Sequence, residues 1–181
     1  MPQPDFAEPG ADAGAGLDSE PGAGHLQETL TAAYRYLNRR ERTQAEVRAH
    51  LGRAGADPLD VERAIAALVE QGYLDDRRFV RLFVQDKREL EEWGSDRIRQ
   101  ALLACGANAD LVEDALSERH ADATDGEMER ALALLRRRFP TPARDRRERD
   151  RALGVLLRKG YDADLALDAI AAHTKESGAV D

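Results

Sequence analysis

Apolar residues along this chain recur every three or four positions, the spacing that gathers them on one face of an α-helix. Leu26, Leu30, Tyr34 and Leu37 share such a face. A second helix is predicted from Thr43, whose side chain caps free amides while Glu46, three residues on, reaches back to complete a capping box worth about 1 kcal/mol. Gly55 closes it as a left-handed cap, and Asp57-Pro58 opens a third helix with proline in the first turn, where its missing N–H costs nothing. Val61, Ile65 and Leu68 form the stripe of that helix, and Gly72 stops it.

The same succession follows twice more. A helix starting at Asp75 or Asp76 turns Phe79, Leu82, Phe83 and Leu90 inward and reaches about Trp93 before Gly94 breaks it. Ser95 caps the next, in which Ile98, Leu102 and Cys105 lead to Gly106, and Asn108 caps a further helix carrying Val112, Ala115 and Leu116. Met128, Ala131, Leu132 and Leu135 begin a third set, interrupted at Phe139 to Pro142 because Pro140 and Pro142 cannot continue a helix. Arg144 to Arg151 then form a loop and the start of a helix ending at Gly160, and Asp162 caps the last helix, with Leu165, Ala166, Ala169 and Ile170 inward. No segment has strand periodicity.

The succession is an internal repeat. Val47, Leu51, Gly55 and Ile65 recur as Ile98, Leu102, Gly106 and Leu116, and again as Ala152, Leu156, Gly160 and Ile170, so the glycines lie 51 and 54 residues apart. A unit of this size holds two to three helices that cannot bury their apolar face alone. The expected fold is all-α, an elongated stack of three tandem three-helix repeats at 28–74, 75–124 and 125–173. A disordered acidic Pro/Gly-rich tail at 1–27 precedes it and a short tail at 174–181 follows. Function is then expected on an extended surface and not in a pocket.

Charge sharpens that expectation. The chain carries a net −8, yet residues 127–160 hold 11 bases against five acids while residues 1–27 hold five acids and no Lys or Arg. The basic segment is the candidate for touching phosphate or an acidic protein surface, and the overall acidity argues against indiscriminate coating of DNA. No apolar run approaches the roughly 20 residues that a bilayer requires, and the N-terminus shows no signal peptide. The lone Cys105 reads as a small buried hydrophobe and favours a reducing, cytoplasmic setting.

Catalytic chemistry is sought without success. Gly10, Gly14 and Gly16 follow no strand and are no nucleotide loop. His25, His50, His120 and His173 lack metal-ligand spacing, and Ser19, Ser95 and Ser177 lie in no nucleophile elbow. Asp75 and Asp76 read as a cap and a first-turn charge. The expectation is therefore no enzyme, no metal and no cofactor.

Arginine is the residue type with chemistry to spare, 24 against three lysines, and its planar fork suits phosphate and carboxylate. Arg136, Arg137 and Arg138 fit either a helix C-terminus favoured by the dipole or a binding role, and Arg144, Arg146, Arg147, Arg149 and Arg151 follow closely. Arg77, Arg81 and Lys87 are interleaved with acids as on a solvated face, but are the next candidates. Trp93 fits either the core or an exposed anchor.

Gly72-Tyr73-Leu74-Asp75-Asp76-Arg77-Arg78-Phe79, followed by Gly94, Ile98-Arg99, Leu102 and Gly106, resembles the signature of the RecX family, bacterial modulators of the RecA recombinase. Arg42-Thr43 with Glu46-Val47 and Leu51 resembles the start of that family's second helix. The resemblance spans about Glu28 to Ala172 and is loosest in the third unit. It implies a curved helical stack lying in the groove of a RecA filament on DNA, hindering filament growth, strand exchange, ATP hydrolysis and coprotease activity. The protein would then be a cytoplasmic monomer acting in recombination, DNA repair and the SOS response, touching DNA only indirectly or weakly. Two rival readings are a winged-helix or helix-turn-helix DNA reader and a helical-repeat adaptor for another protein. Against the first, the would-be recognition helix Pro58 to Glu70 carries Asp60, Glu62 and Glu70 with only Arg63 basic.

The tail offers too few apolar residues to offset the entropy of ordering it. Deleting Met1 to Gly24 is expected to leave the thermal midpoint unchanged.

Overall fold

The computed structural model describes residues 23–118 and 126–178, and every regular element among them is an α-helix. The expected tail lies outside the described residues as far as position 22, and the C-terminal tail from position 179. The first unit consists of α1 (Ala23–Leu37), α2 (Gln44–Arg53) and α3 (Pro58–Glu70). The second consists of α4 (Asp76–Glu89), α5 (Ser95–Ala104) and α6 (Ala109–Ser117). The third consists of α7 (Glu127–Arg138), α8 (Arg146–Lys159) and α9 (Ala163–Gly178).

Local chemistry sets these boundaries. Thr43 Oγ1 accepts the Glu46 amide at 3.1 Å while Glu46 Oε2 accepts the Thr43 amide at 3.3 Å, the reciprocal capping box read from the sequence. Asp57, Asn108 and Asp162 cap α3, α6 and α9 through their side-chain oxygens. At the end of α4 the outcome differs from expectation. The helix stops at Glu89, Glu92 takes a left-handed φ of 55°, and the Trp93 amide donates to the Lys87 carbonyl, six residues back. Inward on α4 are Phe79, Val80 and Val84, while Leu82 and Leu90 are exposed. Leu82 stands two residues from each valine, about 200° around the helix from both.

Each unit owns its core. Ala33, Val47, Leu51, Val61, Ile65, Leu68 and Leu74 close the first, and Val80, Val84, Ile98, Leu102 and Val112 anchor the second. The third gathers Leu134, Leu135, Leu156, Tyr161 and Ile170. Among the described residues no cluster of buried side chains crosses from one unit to the next, so the units are joined by other means.

The joints run between ends of the second helices. Thr43, at the start of α2, donates through Oγ1 to the Cys105 carbonyl at the end of α5 (2.6 Å), and the Gln44 amide donates to Asp76 Oδ1 (2.9 Å). One unit on, Gly94 and Asp96 at the start of α5 donate their amides to the Lys159 and Gly160 carbonyls at the end of α8 (2.8 and 3.1 Å). There the Ser95 amide donates to Glu127 Oε1 (2.7 Å) and its hydroxyl to Oε2 (2.8 Å). Asp76 and Glu127 are both the first residue of a unit's first helix, so the same joint is built twice. It satisfies the amides and carbonyls that helix ends otherwise leave unpaired. Ser95 is therefore a joint residue; the cap position of α5 is Gly94, which has no side chain to donate or accept. Cys105 is not a core residue either. It is half-buried at the end of α5, where burial and Glu46 raise its thiol above the usual range.

Glycine is required where the joints close. Gly106 has φ 75° and faces the Ala45 methyl; Gly160 has φ 85° and faces the Arg97 backbone and Cβ. A β-carbon at either site would meet those atoms at less than contact distance. Gly106→Val is expected to lower stability by at least about 1–2 kcal/mol, the cost of a branched residue in the left-handed region, with the collision added. Chemical denaturation measures it.

Tyr161, 2% exposed, brings an unpartnered hydroxyl to the second joint, and burial pushes its pKa up to about 12. Below pH 10 the phenol is neutral in both folded and unfolded chains. Above it the unfolded chain releases the proton first, so stability falls as pH rises from about 10 through about 12. Tyr161→Phe should abolish that alkaline component and be neutral or stabilising at pH 7, by up to about 1 kcal/mol, since a buried orphan hydroxyl is removed. Denaturation midpoints at pH 7 and 11 test both statements.

Candidate interaction surface

The sequence candidates fall into two groups, and the fold treats them differently. Arg136, Arg137 and Arg138 end α7, where cations favour the helix C-terminus. Arg136 is locked: its Nε and Nη2 donate to Glu176 on α9 (3.1 and 2.7 Å) and Nη1 to Glu129 (2.8 Å). Glu176 and then Glu129 raise its pKa further above the ordinary arginine value, and in return the Glu176 carboxyl is held below the usual range. Arg137 pairs with Glu92 across the second joint. Two of the three thus tie the fold together, while Arg138 is exposed.

The second part of this group is open. Asp145 caps α8 by accepting the Glu148 amide at 2.8 Å, and Glu148 accepts the Arg144 amide at 2.8 Å, so local side chains serve the helix start that a following unit serves in α2 and α5. Arg146 approaches Asp150 at 3.8 Å with both side chains largely in solvent, a geometry worth little. Arg144, Arg147, Arg149 and Arg151 are exposed and form no ion pair with any described residue. Five arginines are therefore displayed over the 139–145 loop and the first turns of α8 with guanidinium groups available to a partner.

On α4, Arg77 comes within 4.0 Å of Asp114 on α6, and Arg81 is exposed without an ion pair to a described residue. Lys87 pairs with Glu91 and lies 4.8 Å from the Trp93 ring centroid, with the Arg97 guanidinium 4.0 Å from the same ring. Trp93 is half-buried at the second joint between two cations. It is neither a full core residue nor a bare anchor. Arg97 also donates to the Arg158 carbonyl (2.9 Å), and Lys159 to the Glu91 carbonyl (2.6 Å). Sequence spacing gives no sign of these contacts, which depend on the joint bringing α5 and α8 together.

A further repeated contact escapes a reading by single residues. In the first unit Arg48 on α2 forks onto Glu62 on α3 (2.6 and 2.9 Å), and in the second Arg99 on α5 forks onto Glu113 on α6 (2.6 and 3.2 Å). Both carboxyls are held below the usual range by their arginine. In the third unit the matching positions, three before Leu156 and 11 after it, are Leu153 and Leu167.

Among the described residues no group of His, Cys, Asp and Glu is placed to hold a metal ion, and no helix is long and apolar enough to cross a membrane. Three family descriptions match the chain in order: RecX, first three-helix domain, at 30–68; second, at 75–116; and third, at 125–170. The regulatory protein RecX of Leptothrix cholodnii is 37% identical over 133 residues, covering 74% of this chain and 81% of that protein. That of a Mycobacterium species, strain JLS, is 31% identical over 178 residues, covering 94% and 91%. A crystal structure of RecX from Lactobacillus salivarius superposes with a TM-score of 0.71 at 22% identity over 85% of this chain and 99% of that one, a likeness of fold.

Proposed function

We propose, from the premise that this chain belongs to the RecX family, that it is a non-catalytic regulator. In this reading it binds the RecA recombinase filament on DNA and inhibits its growth, strand exchange, ATP hydrolysis and coprotease activity. The observation that carries the reading is the set of exposed arginines on the 139–145 loop and the start of α8, which no acid of the described chain engages closely. A nucleoprotein filament presents acidic protein and phosphate side by side, and both are ligands of a guanidinium. A stack of units at 28–74, 75–124 and 125–173 reaches neighbouring subunits of a polymer, and two weak sites engaged together give avidity that neither has alone. Arg138, Arg144, Arg146, Arg147 and Arg149 are the first contacts in this scheme. Arg77, Arg81, Lys87 and Trp93 are the second, while Arg136 and Arg137 act by holding the third unit in place. The working form is a cytoplasmic monomer whose contact with DNA is indirect or weak.

A DNA reader of the helix-turn-helix type finds less support. α3 carries a single basic side chain, Arg63, which lies 3.6 Å from Asp60, so the helix offers no basic face to a major groove.

Charge reversal of Arg144, Arg146 and Arg147 to Glu is expected to keep helicity and weaken inhibition of RecA strand exchange and ATP hydrolysis, with a deficit that shrinks as salt rises. For every phosphate that the variant no longer neutralises, the salt slope of binding falls by about 0.7 to 0.9. A folded triple variant that inhibits as well as the parent moves the binding surface to α4.

A further inference from the structure

The third unit departs from its sisters at one place on its surface, where the second helix meets the third. The first two units close this place with a forked ion pair, Arg48–Glu62 and Arg99–Glu113. The third carries Leu153 and Leu167 there, and Leu167 is 53% exposed. Both leucines line an open hollow of about 580 Å³ whose rim holds Arg144, Arg149 and Lys175. Past Arg144 and Ile170, which both hollows share, lies a deeper cavity of about 340 Å³ walled by Leu135 and Phe139. His173 lines that cavity at 6% exposure, and its charge bears on Glu176 nearby on α9.

From this we infer that the groove of the third unit, between the 139–145 loop, α8 and α9, is the docking site for a short acidic peptide segment of the partner protein. The segment seats one large apolar side chain on Leu153, Leu167 and Ile170 and sets its carboxylates against Arg144, Arg149 and Lys175. The identity of the partner rests on the RecA reading above; the chemistry of the groove does not.

Charge selects an acidic ligand. The lining also contains Glu148 and Asp150, but Arg144, Arg149, Arg151 and Lys175 outnumber them, and Glu148 already accepts the Arg144 amide. The cations are left in excess, beside a helix N-terminus whose dipole adds to them. The floor selects peptide over nucleic acid. Single strands stack their bases on exposed aromatic platforms, whereas the open hollow is lined by Leu153, Leu167, Ile170 and Ala171 with no aromatic side chain, and Phe139 and His173 lie in the deeper cavity. At about 340 and 580 Å³ the two hollows have room for a large side chain together with the residues that flank it.

The sister units supply the decisive variant. Leu153→Arg with Leu167→Glu installs the ion pair that the first two units already carry, so the fold is kept while the apolar floor is removed. Binding is read by fluorescence anisotropy of the full chain with labelled acidic dodecapeptides carrying a single Phe, Leu or Trp between Asp and Glu residues. A labelled oligothymidylate of equal length is the comparison. At least one peptide is expected to bind and to fall about tenfold or more in affinity when its apolar residue becomes Ala. A like decrease is expected in L153R/L167E at unchanged helicity. Should that variant misfold, Arg149→Glu with Lys175→Glu, both exposed, removes the rim instead and is expected to weaken binding comparably. The inference is overturned if no peptide binds at about 1 mM, if a folded variant binds as the parent does, or if oligothymidylate displaces the peptide and binds more tightly. Inhibition of RecA in the same preparations separates the two readings. A parent that inhibits the filament but binds no peptide defeats the groove and leaves the function standing. A parent that binds peptide but leaves the filament unaffected does the reverse.

Discussion

A helix end has amides or carbonyls that its own turns cannot satisfy, and in this protein one unit's surplus is the next unit's supply. The start of α5 donates to carbonyls at the end of α8, and the start of α2 stands in the same relation to the end of α5. A carboxylate from the first residue of the following unit, Asp76 or Glu127, completes each joint. Because the joints are polar, each three-helix unit keeps its apolar side chains to itself. The second helices, 10, 10 and 14 residues long, thus meet at their ends.

That arrangement sorts the arginines. Those near a joint or between helices of one unit are consumed by it: Arg97 on a carbonyl, Arg137 on Glu92, Arg136 on two carboxylates. Those at the start of α8 lie away from either joint: Arg146 has only the distant Asp150, and Arg144, Arg147, Arg149 and Arg151 pair with no described acid. The end of the stack is where the chain differs most from its own pattern, down to the exchange of an ion pair for two leucines.

The sequence makes the helices legible where a side chain caps its own helix, as Thr43, Asn108 and Asp162 do, and where a glycine ends one, as Gly55, Gly106 and Gly160 do. It misleads on α4. There the apolar residues are numerous enough to fit two faces, and only packing selects Val80 and Val84 over Leu82. Ser95 looks like a cap because a serine before a helical run is usually one, yet its hydroxyl is drawn to Glu127, 32 residues away. Of the candidate surface, the exposed arginines of α8 follow from charge counting, but the locked state of Arg136 does not, since Glu176 lies 40 residues on. The paired positions 153 and 167 need the three units aligned side by side before their exception is visible.

A joint in which the repeated hydrogen bonds each end on a helix-terminal amide or carbonyl, or on one short polar side chain, and whose glycine must be both small and left-handed, places few demands on the other side chains around it. Shape therefore depends on a handful of positions per unit, and a chain only 22% identical to this one superposes on it with a TM-score of 0.71.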